Sequence, residues 1–253
     1  MIGVLHTYFS NIPALEVVDV KDETKALPVV VYFHGFTSAK EHNLPLAYLL
    51  AEKGYRVILP DSAYHGEREE NISPMKRQIA FWDIVLQNVK ELNEIHDHLT
   101  KQGKLFDDRI GIAGTSMGGI TTAAALTQYP WVKTAAILMG SPMLTTYAKI
   151  LVEGFKKTGK LPISDATIDK LYHDLEVIDL SVHPEKLNQR PLLFWHGDKD
   201  SVVPFDHAYT FYNDVKQNYT KPDHIQFIKE TNRDHKVSRS AILAAENWFT
   251  SHL

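Results

Sequence analysis

Apolar residues in this chain cluster in short runs separated by longer stretches with helical spacing. The runs are Val29 to Phe33, Arg56 to Leu59, Ile110 to Ala113, Ala135 to Met139, Leu192 to Trp195 and Ile225 to Ile228. They are rich in Val, Ile and Leu and show little alternation, the pattern of strands buried on both faces. Between them, Phe81, Val85, Val89, Leu92 and Leu99 recur three, four or seven apart and form one apolar stripe of a helix. Gly103 follows its polar end, where a C-terminal cap is expected. Ile242, Leu243, Trp248 and Phe249 mark a final helix. This alternation predicts an α/β fold with a mostly parallel sheet covered by helices on both faces. The first twenty residues are expected to add antiparallel edge strands.

One interval breaks the rhythm. About fifty residues separate the strand ending near Gly140 from the one starting at Pro191, more than a simple crossover needs. It holds Met143, Leu144, Tyr147, Ile150, Leu151 and Phe155, then a second helical patch from Ile168 to Leu175. We expect a helical lid inserted at about 141–190 in a single domain spanning 1–253; an elaborated crossover without a functional role is the alternative. Lys156, Lys157 and Lys160 read as a solvated helix end.

The strongest chemical signal is Gly114-Thr115-Ser116-Met117-Gly118, a G-x-S-x-G motif between a predicted strand and an Ala-rich helix. The motif presents a serine hydroxyl on a sharp turn, with small residues letting strand and helix approach closely. The Met117 amide then sits at a helix N-terminus, aimed at developing negative charge. A serine needs a base, and in this arrangement the partners follow in the order acid, then histidine. After the strand Leu192 to Trp195, Asp198 and Asp200 compete for the acid role. Asp198 is close enough to the strand to cap the turn, and Asp200 lies further out and is favoured. His235, between the last strand and the final helix, fits the base; His224 precedes that strand and lies at the wrong edge. The second oxyanion donor is expected from the amide of Phe36 in the loop His34-Gly35-Phe36. His34 is expected to bond across loops rather than act chemically. The segment Asp61 to Arg68 either lines the pocket or, more in keeping with its position, braces that loop. His34, Tyr64, Met143 and Tyr147 are carried as candidate substrate contacts.

These motifs together resemble the α/β-hydrolase superfamily, and more narrowly small bacterial carboxylesterases of the dienelactone hydrolase and prolyl-oligopeptidase-like branch. The resemblance covers nearly the whole chain. It implies a triad of Ser116, Asp200 and His235 and an oxyanion hole from the Phe36 and Met117 amides. No cofactor is expected, and the modest apolar lid leads us to expect short- to medium-chain or small-molecule esters as substrates, short-chain and acetylated compounds first. The chain departs from dienelactone hydrolases proper, whose nucleophile is cysteine, and from prolyl oligopeptidases, which add a β-propeller. Thioesterase or small-peptide hydrolase activity would use the same groups; a low-turnover ligand-binding homologue is the other class considered.

Composition narrows this further. Of 253 residues none is cysteine, so disulfides, thiolate metal sites and a thiol nucleophile are excluded. The formal net charge of −4 lacks the basic footprint of nucleic-acid binders. No secretory leader and no membrane span are read, and the N-x-S/T sequons at Asn71 and Asn218 are treated as chance matches, so a cytoplasmic protein is expected. Glu94, His96 and His98 do not suggest a metal, because residues two apart on a helix face different ways.

Overall fold

A computed structural model describes residues 1–157, 159 and 163–253. Eight strands form one sheet in the order β1-β2-β4-β3-β5-β6-β7-β8. Strands β1 (Ile2–Phe9) and β2 (Ile12–Asp19) make an antiparallel hairpin, turned at Ser10 with φ 56°, and β2 pairs antiparallel with β4 (Arg56–Pro60). The remaining strands, β3 (Leu27–Phe33), β5 (Leu105–Thr115), β6 (Thr134–Leu138), β7 (Leu192–Gly197) and β8 (Ile225–Glu230), run parallel to β4. The fold is that of an α/β hydrolase.

The lack of alternation has a direct cause. In β3, Val29, Val31 and Phe33 enter one buried cluster, while Val30 and Tyr32 enter the other. Helices α1 (Leu44–Glu52) and α8 (Arg239–His252) cover the second face. The first face is covered by α3 (Phe81–Lys101), α4 (Met117–Gln128) and α7 (Phe205–Val215), with the short α2 (Pro74–Ile79) leading into α3. Helix α3 buries Val85, Val89, Leu92, Ile95 and Leu99 on one side. It ends at Gly103, whose φ of 65° is the left-handed cap conformation that glycine adopts without steric cost.

Strand β5 begins earlier than its apolar run. Asp107 and Asp108 take φ near 50°, and the register against β3 shifts there, so the stretch 105–109 is a bulged, largely exposed entry to the buried half. The long interval between β6 and β7 holds α5 (Leu144–Lys157) and α6 (Asp165–Glu176). Residues 158 and 160–162, Lys160 among them, lie outside the described residues. No helix among the described residues is long and apolar enough to cross a membrane.

Candidate active site

Every element of the site sits at the C-terminal edge of a parallel strand. Ser116 lies between β5 and α4 with φ 55° and ψ −114°, a conformation that L-residues rarely occupy and that is held by its amide donating to the Leu138 carbonyl at 2.9 Å. Glycines permit the bend. A Cβ on Gly118 would stand 2.0 Å from the Phe33 carbonyl oxygen, and one on Gly114 would stand 2.2 Å from Gly118.

The Ser116 hydroxyl lies 2.9 Å from His235 Nε2, and His235 Nδ1 lies 2.7 Å from Asp200 Oδ2. The other carboxylate oxygen of Asp200 accepts from the amides of Val202 and Val203, both at 2.9 Å. Burial alone would raise the Asp200 pKa. Donation from His196, His235 and those two amides outweighs it and holds the carboxyl well below its usual range. An ionised, immobile carboxylate therefore faces the imidazole. Asp198 instead accepts from the Asn232 amide at 2.7 Å and pairs with Lys229, tying the loop after β7 to the loop after β8. His224 sits at the far end of β8, bonded to the Gln189 carbonyl.

The loop after β3 packs against this bend. A Cβ on Gly35 would lie 3.4 Å from the Thr115 carbonyl oxygen and 3.6 Å from the Ser116 Cβ. Neither the Phe36 amide nor the Met117 amide has a protein acceptor among the described residues; Met117 opens α4, so its amide has no intrahelical acceptor. Two buried histidines shape the loop. His34 Nε2 accepts from the Ser62 amide at 3.0 Å, and its Nδ1 donates to the Gly35 carbonyl at 2.8 Å. His65 Nε2 accepts from the Thr37 amide at 3.0 Å, and its Nδ1 donates to the Ala63 carbonyl at 2.8 Å. Both rings are neutral donors and acceptors, and burial depresses both, His34 to about 4. Beneath them the Lys40 ammonium, 1% exposed, meets Asp61 at 2.5 Å, Glu67 at 2.6 Å and Glu41 at 3.1 Å. The segment Asp61 to Arg68 is thus a brace.

Two cavities meet at Ser116. One of about 450 Å³ is lined by Gly35, Phe36, Met139, His235, Lys236 and Val237. The other, about 520 Å³, lies under α5 and is lined by Phe36, Phe81, Tyr147, Ile150, Leu151 and Val203. Tyr147 is therefore where a substrate contact was expected; its hydroxyl donates to the Val202 carbonyl at 3.2 Å, and burial followed by the charge of Asp200 pushes its pKa to about 12.

Three other expected contacts are corrected. His34 is 0% exposed with both nitrogens engaged, and it lines neither cavity. Tyr64 takes φ 62° at the turn after β4 and packs against the core, and Met143 is held against the core with its backbone bonded to Ser141 Oγ; neither lines either of the two cavities at Ser116. Among the described residues no three His, Asp or Glu side chains are placed to hold a metal ion. His96 stacks on Trp131 at 4.1 Å while His98 bonds Gln102, so that pair diverges.

The family model described as the prolyl oligopeptidase family matches residues 46–253. The chain belongs to the prolyl oligopeptidase family. This family member is a hydrolase of the α/β-hydrolase superfamily. It is 45% identical to "Putative esterase YitV" of Bacillus subtilis (strain 168) and 30% identical to "Esterase YjfP" of Escherichia coli (strain K12), in each case over 100% of both chains. Among solved structures it resembles TT1662 from Thermus thermophilus, with TM-score 0.77 at 17% identity over 99% of this chain and 98% of that one. The family match opens within α1, so the Gly35–Ser38 loop precedes it.

The lid-side lining was only partly legible beforehand. Ile150 and Leu151 were read as lid residues without a role, and Phe81 was read only as part of the α3 stripe. The contact of His196 with Asp200 had no signal beyond its place in the His196-Gly197-Asp198 run.

Proposed function

We propose that this protein is a serine hydrolase that cleaves carboxylic esters through an acyl-enzyme. The observation that carries the reading is the hydrogen-bonded chain from Ser116 Oγ through His235 to Asp200, ending at a hydroxyl that faces two cavities. His235 Nε2 takes the Ser116 proton as Oγ attacks the ester carbonyl carbon. The carbonyl oxygen, now carrying the negative charge, accepts from the Phe36 and Met117 amides. The carbon–oxygen bond to the alcohol breaks, and that oxygen takes the proton back from His235. Water then repeats both transfers on the acyl-enzyme and releases the acid. Asp200 keeps the Nδ1 proton of His235 in place and offsets the imidazolium charge.

The same chemistry assigns the cavities. The departing alcohol must leave beside His235, so it occupies the cavity that His235 lines. The acyl group takes the remaining direction, into the apolar cavity under α5, where α5 acts as a lid. A lining of Phe81, Ile150, Leu151 and Val203 favours medium-length or aromatic acyl groups over charged ones. A small-molecule ester is the expected partner.

The test is hydrolysis of aryl esters by Ser116→Ala, together with labelling by a fluorophosphonate. Turnover should fall on the order of 10⁶-fold and labelling should vanish. Wild-type turnover by the variant would refute the reading.

A further inference from the structure

We propose that His196 is a positioning residue that sets how strongly Asp200 holds His235; this rests on the serine-hydrolase reading above. Asp200 Oδ2 receives two imidazoles at once. His235 Nδ1 approaches at 2.7 Å and His196 Nε2 at 3.0 Å. His196 Nε2 also lies 3.1 Å from the Val203 carbonyl oxygen. A carboxylate and a carbonyl only accept, so Nε2 carries the proton and shares it between them.

The placement of His196 is rigid. It stands in β7, paired with Lys229 of β8, fully buried, with its ring edge-on to Phe205 at 5.7 Å. Its Nδ1 is buried without a partner among the described residues. A half-satisfied buried ring is a standing penalty that an apolar residue would avoid. What the histidine adds at this position is a second donor on the oxygen that holds the base.

Other groups face this cluster and do not duplicate that contact. Tyr147 of α5 senses the charge of Asp200 but donates to Val202. His207 of α7 faces His196 and bonds Ser141, with Asp206 and Asp179 nearby. On the loops, Asp198 is engaged by Lys229 and Asn232, and Arg233 by Glu230. Asp234 and Lys236 flank His235 in sequence.

Each donor an oxygen accepts from weakens it as an acceptor for the next. His196 therefore moderates the pull of Asp200 on the Nδ1 proton of His235. Without His196 the Asp200–His235 bond tightens and the base holds its proton to higher pH.

The experiment compares kcat/KM against pH for the wild type, His196→Leu and His196→Gln on an aryl ester, and reads the downfield Nδ1–H proton resonance of His235 by NMR. In His196→Leu the acid limb should move up by about half to one pH unit and the resonance further downfield. Gln, whose side-chain amide can donate to the same oxygen, should restore both. An unmoved limb and resonance in the Leu variant would reduce His196 to scaffolding and overturn the proposal, as would failure of Gln to rescue them. His196→Phe, which keeps the bulk against Phe205, serves if the Leu variant does not fold. Nitrogen NMR of the wild-type protein is a further arm that needs no variant: a His196 proton on Nδ1 instead of Nε2 overturns the proposal. The NMR arms read hydrogen bonds whether or not the protein turns over, so they stand apart from failure of the esterase reading.

Discussion

Acid should loosen this protein through His34, and the size of the effect follows from its burial. His34 is 0% exposed, accepts the Ser62 amide on Nε2, and has its pKa pulled from 6.5 to about 4 by desolvation. The unfolded chain takes up a proton below about 6.5, whereas the folded one resists until about 4. The stability this ring contributes is thus complete above pH 6.5 and is lost progressively as the pH falls towards 4. At 1.36 kcal/mol per pH unit between 6.5 and about 4, the full loss from this one group is about 3.4 kcal/mol, of which about 2.4 kcal/mol falls between about pH 7 and about pH 4.5. His65 adds to the same trend, so the comparison must isolate His34. His34→Gln keeps an acceptor for Ser62 and a donor for Gly35 but does not titrate. Urea unfolding of wild type and variant at the two pH values should show the wild type losing about 2–3 kcal/mol more, roughly 1 M in midpoint for an m-value near 3 kcal/mol/M. Equal losses in the two proteins would refute the reasoning.

Two further outcomes are expected. Asp200→Asn removes the carboxylate that fixes the His235 tautomer, and kcat should fall about 10⁴-fold with KM little changed, read by steady-state kinetics on an aryl ester. Gly154 lines the cavity under α5, and a Cβ there meets nothing within 4 Å. Gly154→Leu should therefore raise thermal stability by about 1 kcal/mol through helix propensity, while cutting kcat/KM about tenfold for long acyl chains and sparing acetyl esters in a chain-length series.

The runs of β3 to β7 were legible because those strands are covered on both faces, which leaves few polar positions to interrupt them. Where cover thins, the signal thins too: β8 is an edge strand with only Ile225 buried and with Gln226 interrupting its run, and the bulged start of β5 carries two aspartates that no apolar pattern contains. Asp200 was separable from Asp198 because reach along a loop is a matter of chain length. His34 bonds across loops as its position suggests, but none of His34, Tyr64 and Met143 lines the two cavities at Ser116, since whether a loop residue faces a cavity or the brace behind it depends on contacts from distant segments. His34 turns inward to meet Ser62, twenty-eight residues away. His196 was hidden for a different reason: its bond to Asp200, only four residues on, exists because the loop after β7 doubles back over its own strand, a local turn that no apolar pattern marks.

Ser116 and His235 stand 119 residues apart, and His235 is reached only after β8, three strands later in the chain than β5. During translation Ser116 emerges long before His235, so under the proposed mechanism the nascent polypeptide stays chemically silent until β8 docks. Under the same mechanism, covalent capture by a phosphonate would count only molecules in which β8 has docked, and its time course after dilution from denaturant would report closure of that edge of the sheet.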